Sequence, residues 1–274
     1  MIATLALIQD TFREAFARRI FWGFFGCCTA LLLFLMFIMR VDVVAGALAT
    51  ITIFGRTGRT TEDVQTLVAQ TQSVIAMVLY FAGMALAVFA SAGLVSAVFE
   101  PGRIELLLSK PVSRVHLLMG RYVGNVLVIA GNILYLVAGS WIIFGLKTQV
   151  WGMGFLLSSL FTIFIFAVLL AVLVLVGVLW DSAAIGIMST FAIMIVTPIL
   201  AQKETIERLL DSEWSRNVVR VMYYVLPKTA EVSVITRHLI LNQPVESWMP
   251  VWSTALFGAA VLSAGLWVFQ RRTF

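Results

Sequence analysis

Six apolar stretches decide what this chain can fold into. They fall at 20–39, 74–99, 117–145, 151–180, 183–201 and 251–269. A bilayer hydrocarbon core of about 30 Å is crossed by about 20 helical residues, each adding about 1.5 Å. Inside lipid, backbone polar groups must be paired within the spanning element, so runs of this length are helices. The expected fold is an all-α integral membrane protein with six transmembrane helices. Together they make one transmembrane domain over 1–274. Composition agrees: 61% of residues are hydrophobic and 12% charged, against about 45–50% and about 25% in soluble domains. Mean hydropathy is +1.00.

The fourth and fifth spans are separated by Asp181 and Ser182 alone, so they form a tight helical hairpin. Arg13, Arg18 and Arg19 precede the first apolar run, and 45–49 mimics a cleavage site. That run is about twice as long as a short signal-peptide core, so retention is expected. Six spans put both termini on one side. Nine lysines and arginines lie on that side and ten on the other. The nine are denser and crowd the helix ends, where such residues set orientation. Both termini and the 99–114 segment are therefore expected in the cytoplasm.

Three non-spanning segments stand out. Near the N-terminus, Leu5, Ile8, Phe12, Ala15 and Phe16 recur at helical spacing, with Asp10, Arg13, Glu14 and Arg18 opposite. This predicts an amphipathic helix, lying in the membrane interface or packed on protein. The outer loop 40–73 carries turn-rich residues at 54–59, and Thr60 and Asp63 form a helix-start signal. After the fifth span, Ile206, Leu210, Trp214, Val218, Val221 and Val225 step by three or four, so they share one helix face. Pro227 ends that helix, and Val232, Ile235 and Leu239 predict a shorter one. The outer pair either roofs the surface or re-enters the membrane.

Several chemistries find no support. Cys27 and Cys28 are adjacent within an apolar run and suit neither a mutual disulfide nor a metal site. His116 and His238 fall on opposite sides of the membrane. No HExxH, G-x-S-x-G or G-x-x-x-x-G-K-[ST] pattern is present. No catalytic residue is expected, no metal, no cofactor in this chain, and no nucleic-acid partner. The span interiors hold almost no carboxylates, although ion-coupled transporters use intramembrane ionisable groups. Arg121, near the start of the third span, could snorkel to the interface. On that span Gly120, Gly124 and Gly131, with Asn125 and Asn132, form a stripe of small and polar residues. It serves either packing within the chain or a pathway or dimer seam. Pro198 is expected to kink the fifth span.

The segment between the second and third spans is longer than a turn requires. Pro101 and Gly102 break the second helix. Residues 103–110 can make two amphipathic turns with Ile104, Leu107 and Leu108 on one side. Pro111 stops them, and 112–114 start the next helix. This alternation of leucines and charges reads as a docking surface, or as a connector lying among headgroups.

Glu100, then Gly102-Arg103-Ile104-Glu105-Leu106-Leu107-Leu108-Ser109-Lys110-Pro111-Val112-Ser113-Arg114 and Gly120-Arg121-Tyr122-Val123-Gly124, resembles the pattern of type-2 ABC exporter permeases. The closing Phe269-Gln270-Arg271-Arg272-Thr273 is similar to that family's aromatic-x-Arg-Arg-Asp ending, with Thr273 in the acidic place. The resemblance implies a permease subunit that exports a substrate using a separate ABC ATPase subunit, which binds the ATP and Mg. It implies a second permease subunit, identical or homologous, and a location in a prokaryotic cytoplasmic (inner) membrane, among membrane lipids. The coupling helix would then hold Glu100, Gly102, Arg103, Glu105, Pro111 and Arg114. An alternative is a module that passes ATPase-driven movement to an extracytoplasmic accessory protein without transporting.

Overall fold

The computed structural model describes residues 2–44, 48–53, 56–57, 62–96, 113–210 and 212–271. Helix α1 (Ile2–Ala17) ends where Arg18 turns extended, at φ −90° and ψ 129°, and α2 (Arg19–Leu33) sets off in a new direction. A π-turn, Phe34–Ile38, finishes the first span. Helix α3 (Val64–Val78), a second π-turn (Leu79–Gly83) and α4 (Met84–Ser96) make one continuous rod. Then come α5 (Arg114–Thr148), α6 (Met153–Trp180), α7 (Ala183–Leu200), α8 (Lys203–Leu209), α9 (Glu213–Val225), α10 (Thr229–Ile240) and α11 (Met249–Arg271). Six helices are long and apolar enough to cross a membrane.

The spans differ from expectation mainly at their ends. The second begins at Val64 rather than at 74. Its first turns carry Gln65, Thr66, Gln70 and Gln72, which dilute the apolar signal. Burial of Val64, Leu67, Val68 and Ile75 nevertheless holds those turns in helix. Asp63 supplies the expected cap, its carboxylate accepting from the Gln65 amide at 3.2 Å. The third span runs Arg114–Thr148, capped by the Ser113 hydroxyl and closed by Gln149 at φ 59°. The loop expected at 40–73 contains an antiparallel sheet. Strand β1 (Met39–Val44) pairs with β2 (Leu48–Ile53), Met39 opposite Ile53 and Val44 opposite Leu48. The short strands β3 (Arg56–Thr57) and β4 (Glu62–Asp63) also pair with β2. The expected outer helix is split by a break after Leu209 into α8 and α9.

Helix α6 lies at the centre, with α4, α5, α7, α10 and α11 packed around it. Phe166, Leu169, Leu170, Leu173 and Val178 are fully enclosed. Glycines allow close approaches: a Cβ on Gly258 of α11 would stand 2.9 Å from Val168 of α6.

Helix lengths set the relief of the bundle. The 18 residues of α7 span about 27 Å, close to the hydrocarbon thickness. The 28 residues of α6 span about 42 Å. Asp181 and Ser182 join them, so these ends are level, and about 15 Å of α6 projects past α7 at the other end. Helix α10 packs there. It starts against Thr197 of α7 and Thr254 of α11, and the Leu239 carbonyl lies against Gly154 of α6. This is a fixed roof over the ends of α7 and α11, leaning on the taller α3 and α6.

Candidate coupling site

Of the residues expected to couple to an ATPase, Glu100, Gly102, Arg103, Glu105 and Pro111 lie outside the described residues. Arg114 is the first residue of α5. Just before it, the Ser113 hydroxyl accepts from the His116 amide at 3.3 Å and lies 2.5 Å from His116 Nδ1. That hydroxyl satisfies one of the amides a helix start leaves unpaired. The 113–114 helix start read from sequence is therefore in place.

The described structure adds what holds the two helices flanking this connector. Helix α1 lies along the start of α5. A Cβ at Gly120 would stand 2.8 Å from the Leu7 side chain, and one at Gly124 would stand 2.8 Å from Thr11. Leu7, Thr11 and Ala15 are four apart, so one ridge of α1 fits the trough that two glycines leave on α5.

Beside this ridge sits an ionic cluster. Arg121 is 4% exposed, and its guanidinium donates to Glu14 Oε2 at 2.5 Å and to Asp10 Oδ2 at 2.7 Å. Arg18 donates to the second Glu14 oxygen at 2.9 Å. Arg121 therefore does not snorkel toward an interface. Burying a guanidinium is costly unless carboxylates meet it, and two on α1 do so. Helix α1 thereby has two working faces. Asp10, Glu14 and Thr11 face protein, while Phe16 and neighbouring Trp22 of α2 remain exposed and suit lipid.

The residue that follows α1, Arg18, reaches the other flank. The Arg18 guanidinium sits against Gly93 of α4, where any side chain would collide with it. Lower in the bundle, Ser91 of α4 and Asn125 of α5 bond reciprocally: the Ser91 hydroxyl donates to Asn125 Oδ1 at 3.1 Å, and Asn125 Nδ2 donates to the Ser91 carbonyl at 3.5 Å. Both helices that lead into the connector are thus tied to α1 and to each other.

The small and polar stripe on the third span divides by partner. Gly120 and Gly124 are filled by α1, and Asn125 by Ser91. Asn132 is buried, its Nδ2 donating to the Val128 carbonyl at 3.4 Å. Only Gly131 of the stripe faces open space. Asp10, Glu14 and Ser91 were not singled out from sequence as site residues. The spacing Asp10, Glu14, Arg18 did place three charges on one side of a helix.

Among the described residues no group of His, Cys, Asp and Glu could hold a metal ion. No curated protein matches the chain. The family model described as "ABC-2 family transporter protein" matches residues 5–273, nearly the whole chain. The chain belongs to the ABC-2 transporter permease family.

Proposed function

We propose that this chain is the membrane subunit of an exporter driven by a separate ABC ATPase, and that force enters through the 99–114 connector. The observation that carries this reading is the clasp of α1 on both flanks of that connector, through Arg18 at Gly93 and through Arg121 with Gly120 and Gly124. A push on the connector or on α1 would move the starts of two spans together rather than bend one loop. The connector's leucines and paired charges suit a soluble protein surface. The near-absence of intramembrane carboxylates leaves no evident ion-gradient coupling. On this reading both termini are cytoplasmic, and a second permease subunit completes the transporter.

The test is co-reconstitution in vesicles with a candidate ABC ATPase subunit. Neutralising Arg103, Glu105 and Arg114 together should leave the spans folded and ATP hydrolysis running while transport is lost. Full transport by that variant would overturn the assignment. If ATPase-driven activity reached an extracytoplasmic partner with no substrate moved, the chain would be a transmission module.

A further inference from the structure

At the end of the bundle away from the Asp181–Ser182 turn, α3, α6 and α10 enclose a cleft of about 1000 Å³. That is the upper range of small-molecule sites. Its polarity is graded. Along α3 the lining residues Thr66, Gln70, Ser73, Met77 and Phe81 succeed one another at three or four positions, so they form one stripe about 22 Å long. The stripe starts polar and ends apolar.

Helix α10 runs antiparallel to α3. Its beginning is pinned beside the apolar end, where Tyr80 donates to the Thr229 hydroxyl at 3.0 Å. Ser233 and Val234 line the cleft next, then Thr236 and Arg237, then Ile240 and Leu241, with Asn242 and Gln243 beyond the helix. Two elements far apart in sequence therefore bring side-chain amides to one mouth, and Met77, Phe81 and Val234 to the other end, its floor. The floor opens sideways: Met77, Phe81 and Val234 are all exposed. Thr197, which shares the Thr229 hydroxyl at 2.8 Å, lies one turn from the end of α7. The end of α7, a helix of about one hydrocarbon thickness, therefore lies beside the floor.

We infer that this cleft binds an amphiphile drawn from the adjoining lipid leaflet, its hydrocarbon chain along Met77, Phe81 and Val234 and its head between Gln70 and Gln243. The charged lining residues are Asp63 and Arg237, one of each sign, which favours a head without net charge. Side-chain amides both donate and accept, so the matching head carries hydroxyl or amide groups, as a glycosyl head does. Binding is read without any ATPase, so it can fail while the transport reading stands, and the reverse.

The probe is an alkyl maltoside with a diazirine on its chain, at trace level in phosphatidylcholine vesicles holding the full chain. After irradiation, adducts should concentrate on 66–81 and 233–243. Met77→Trp with Val234→Trp fills the floor and should lower them about tenfold. Leu256→Trp on the exposed face of α11 should not. Gln70→Leu with Gln243→Leu leaves the floor intact and should abolish the preference for the maltoside over a diazirine alkanol. Adducts spread evenly over α11 and α3, or unchanged by the tryptophan pair, would overturn the site. Equal labelling by maltoside and alkanol would overturn the head assignment.

Discussion

The two ends of the bundle are held by different chemistry. At the connector end, α1 is fixed to α5 by Arg121, Asp10 and Glu14, with Arg18 reaching α4. At the opposite end, α10 is fixed by hydroxyls: Tyr80 donates to Thr229, Thr229 shares a bond with Thr197, and the Lys228 amide donates to Thr254 at 2.9 Å. Charges act over distance and hold while side chains adjust. Neutral hydroxyl bonds demand close contact and fail when a helix moves by an ångström or so. The first arrangement lets α1 stay engaged while the flanking spans shift. The second makes the α10 roof a rigid reference against which they shift.

The largest expected effect lies in the ionic cluster. Arg121→Met takes the guanidinium from both Asp10 and Glu14. Removing one member of a buried ion pair costs about 3 kcal/mol or more. The half-exposed Asp10 keeps the effect at the low end of that range. Amide exchange across α1 should rise and ATP-coupled transport should fall, with exchange in α10 unchanged. Arg121→Lys keeps a cation between the two carboxylates and should retain part of both; a loss as large as that of Arg121→Met would mean the cluster acts by the packing of the guanidinium rather than by its charge.

The next effect is at the roof. Thr229→Val removes the hydroxyl shared by the buried Tyr80 and Thr197 side chains and costs about 1–2 kcal/mol. Thermal unfolding in lipid should move down, while the transport-to-hydrolysis ratio of the surviving protein stays constant. A changed ratio would show that the roof takes part in coupling and would collapse the contrast between the two ends.

The sequence made the six spans legible because length and hydropathy are local properties. Asp63, Ser113 and Pro227 marked a start, a start and a stop for the same reason, each acting on its own backbone. Arg121 was not legible. An arginine near a span end looks like a snorkelling residue until its partners are known, and those stand 107 and 111 positions away. The second span's first turns were missed because glutamines mask helix in a hydropathy reading. The strands at 39–44 and 48–53 had a signal of their own, the β-branched residues of Val41, Val43, Val44 and Thr50, Ile51, Thr52, Ile53. Hydropathy does not weigh that signal.

The smallest effect is a pH dependence at the junction of α9 and α10. Lys228 is enclosed, its ammonium 4.2 Å from the Tyr223 ring centroid and 3.3 Å from Met249 Sδ. Burial lowers its pKa below 10.5, with Glu231 opposing and Lys203 adding to the fall. From that lowered value up to 10.5 the unfolded chain holds more protons than the folded one, so stability rises with pH across that window. Tyr223 acts the other way. Burial, then its 2.6 Å bond to Glu231, raises its pKa above 10.0. Its contribution is lost as pH climbs past 10.0 toward the raised value. In Tyr223→Phe the rise from Lys228 should stand alone in alkaline melts, and Lys228→Met should flatten it. A slope that survives Lys228→Met would place the titrating group elsewhere.

The two-residue link at Asp181 and Ser182 has a mechanical consequence. Asp181 closes α6 in the left-handed region at φ 51°, and the Ser182 hydroxyl accepts from the Ile185 amide at 3.4 Å to open α7. No slack remains for one helix to slide along the other. Any relative tilt of α6 and α7 therefore has its fulcrum at that link, and its amplitude grows along their length like the arms of tweezers. The lever arm is longest at the far tips, and α10 bridges them there, so it restrains the tilt where it would be widest.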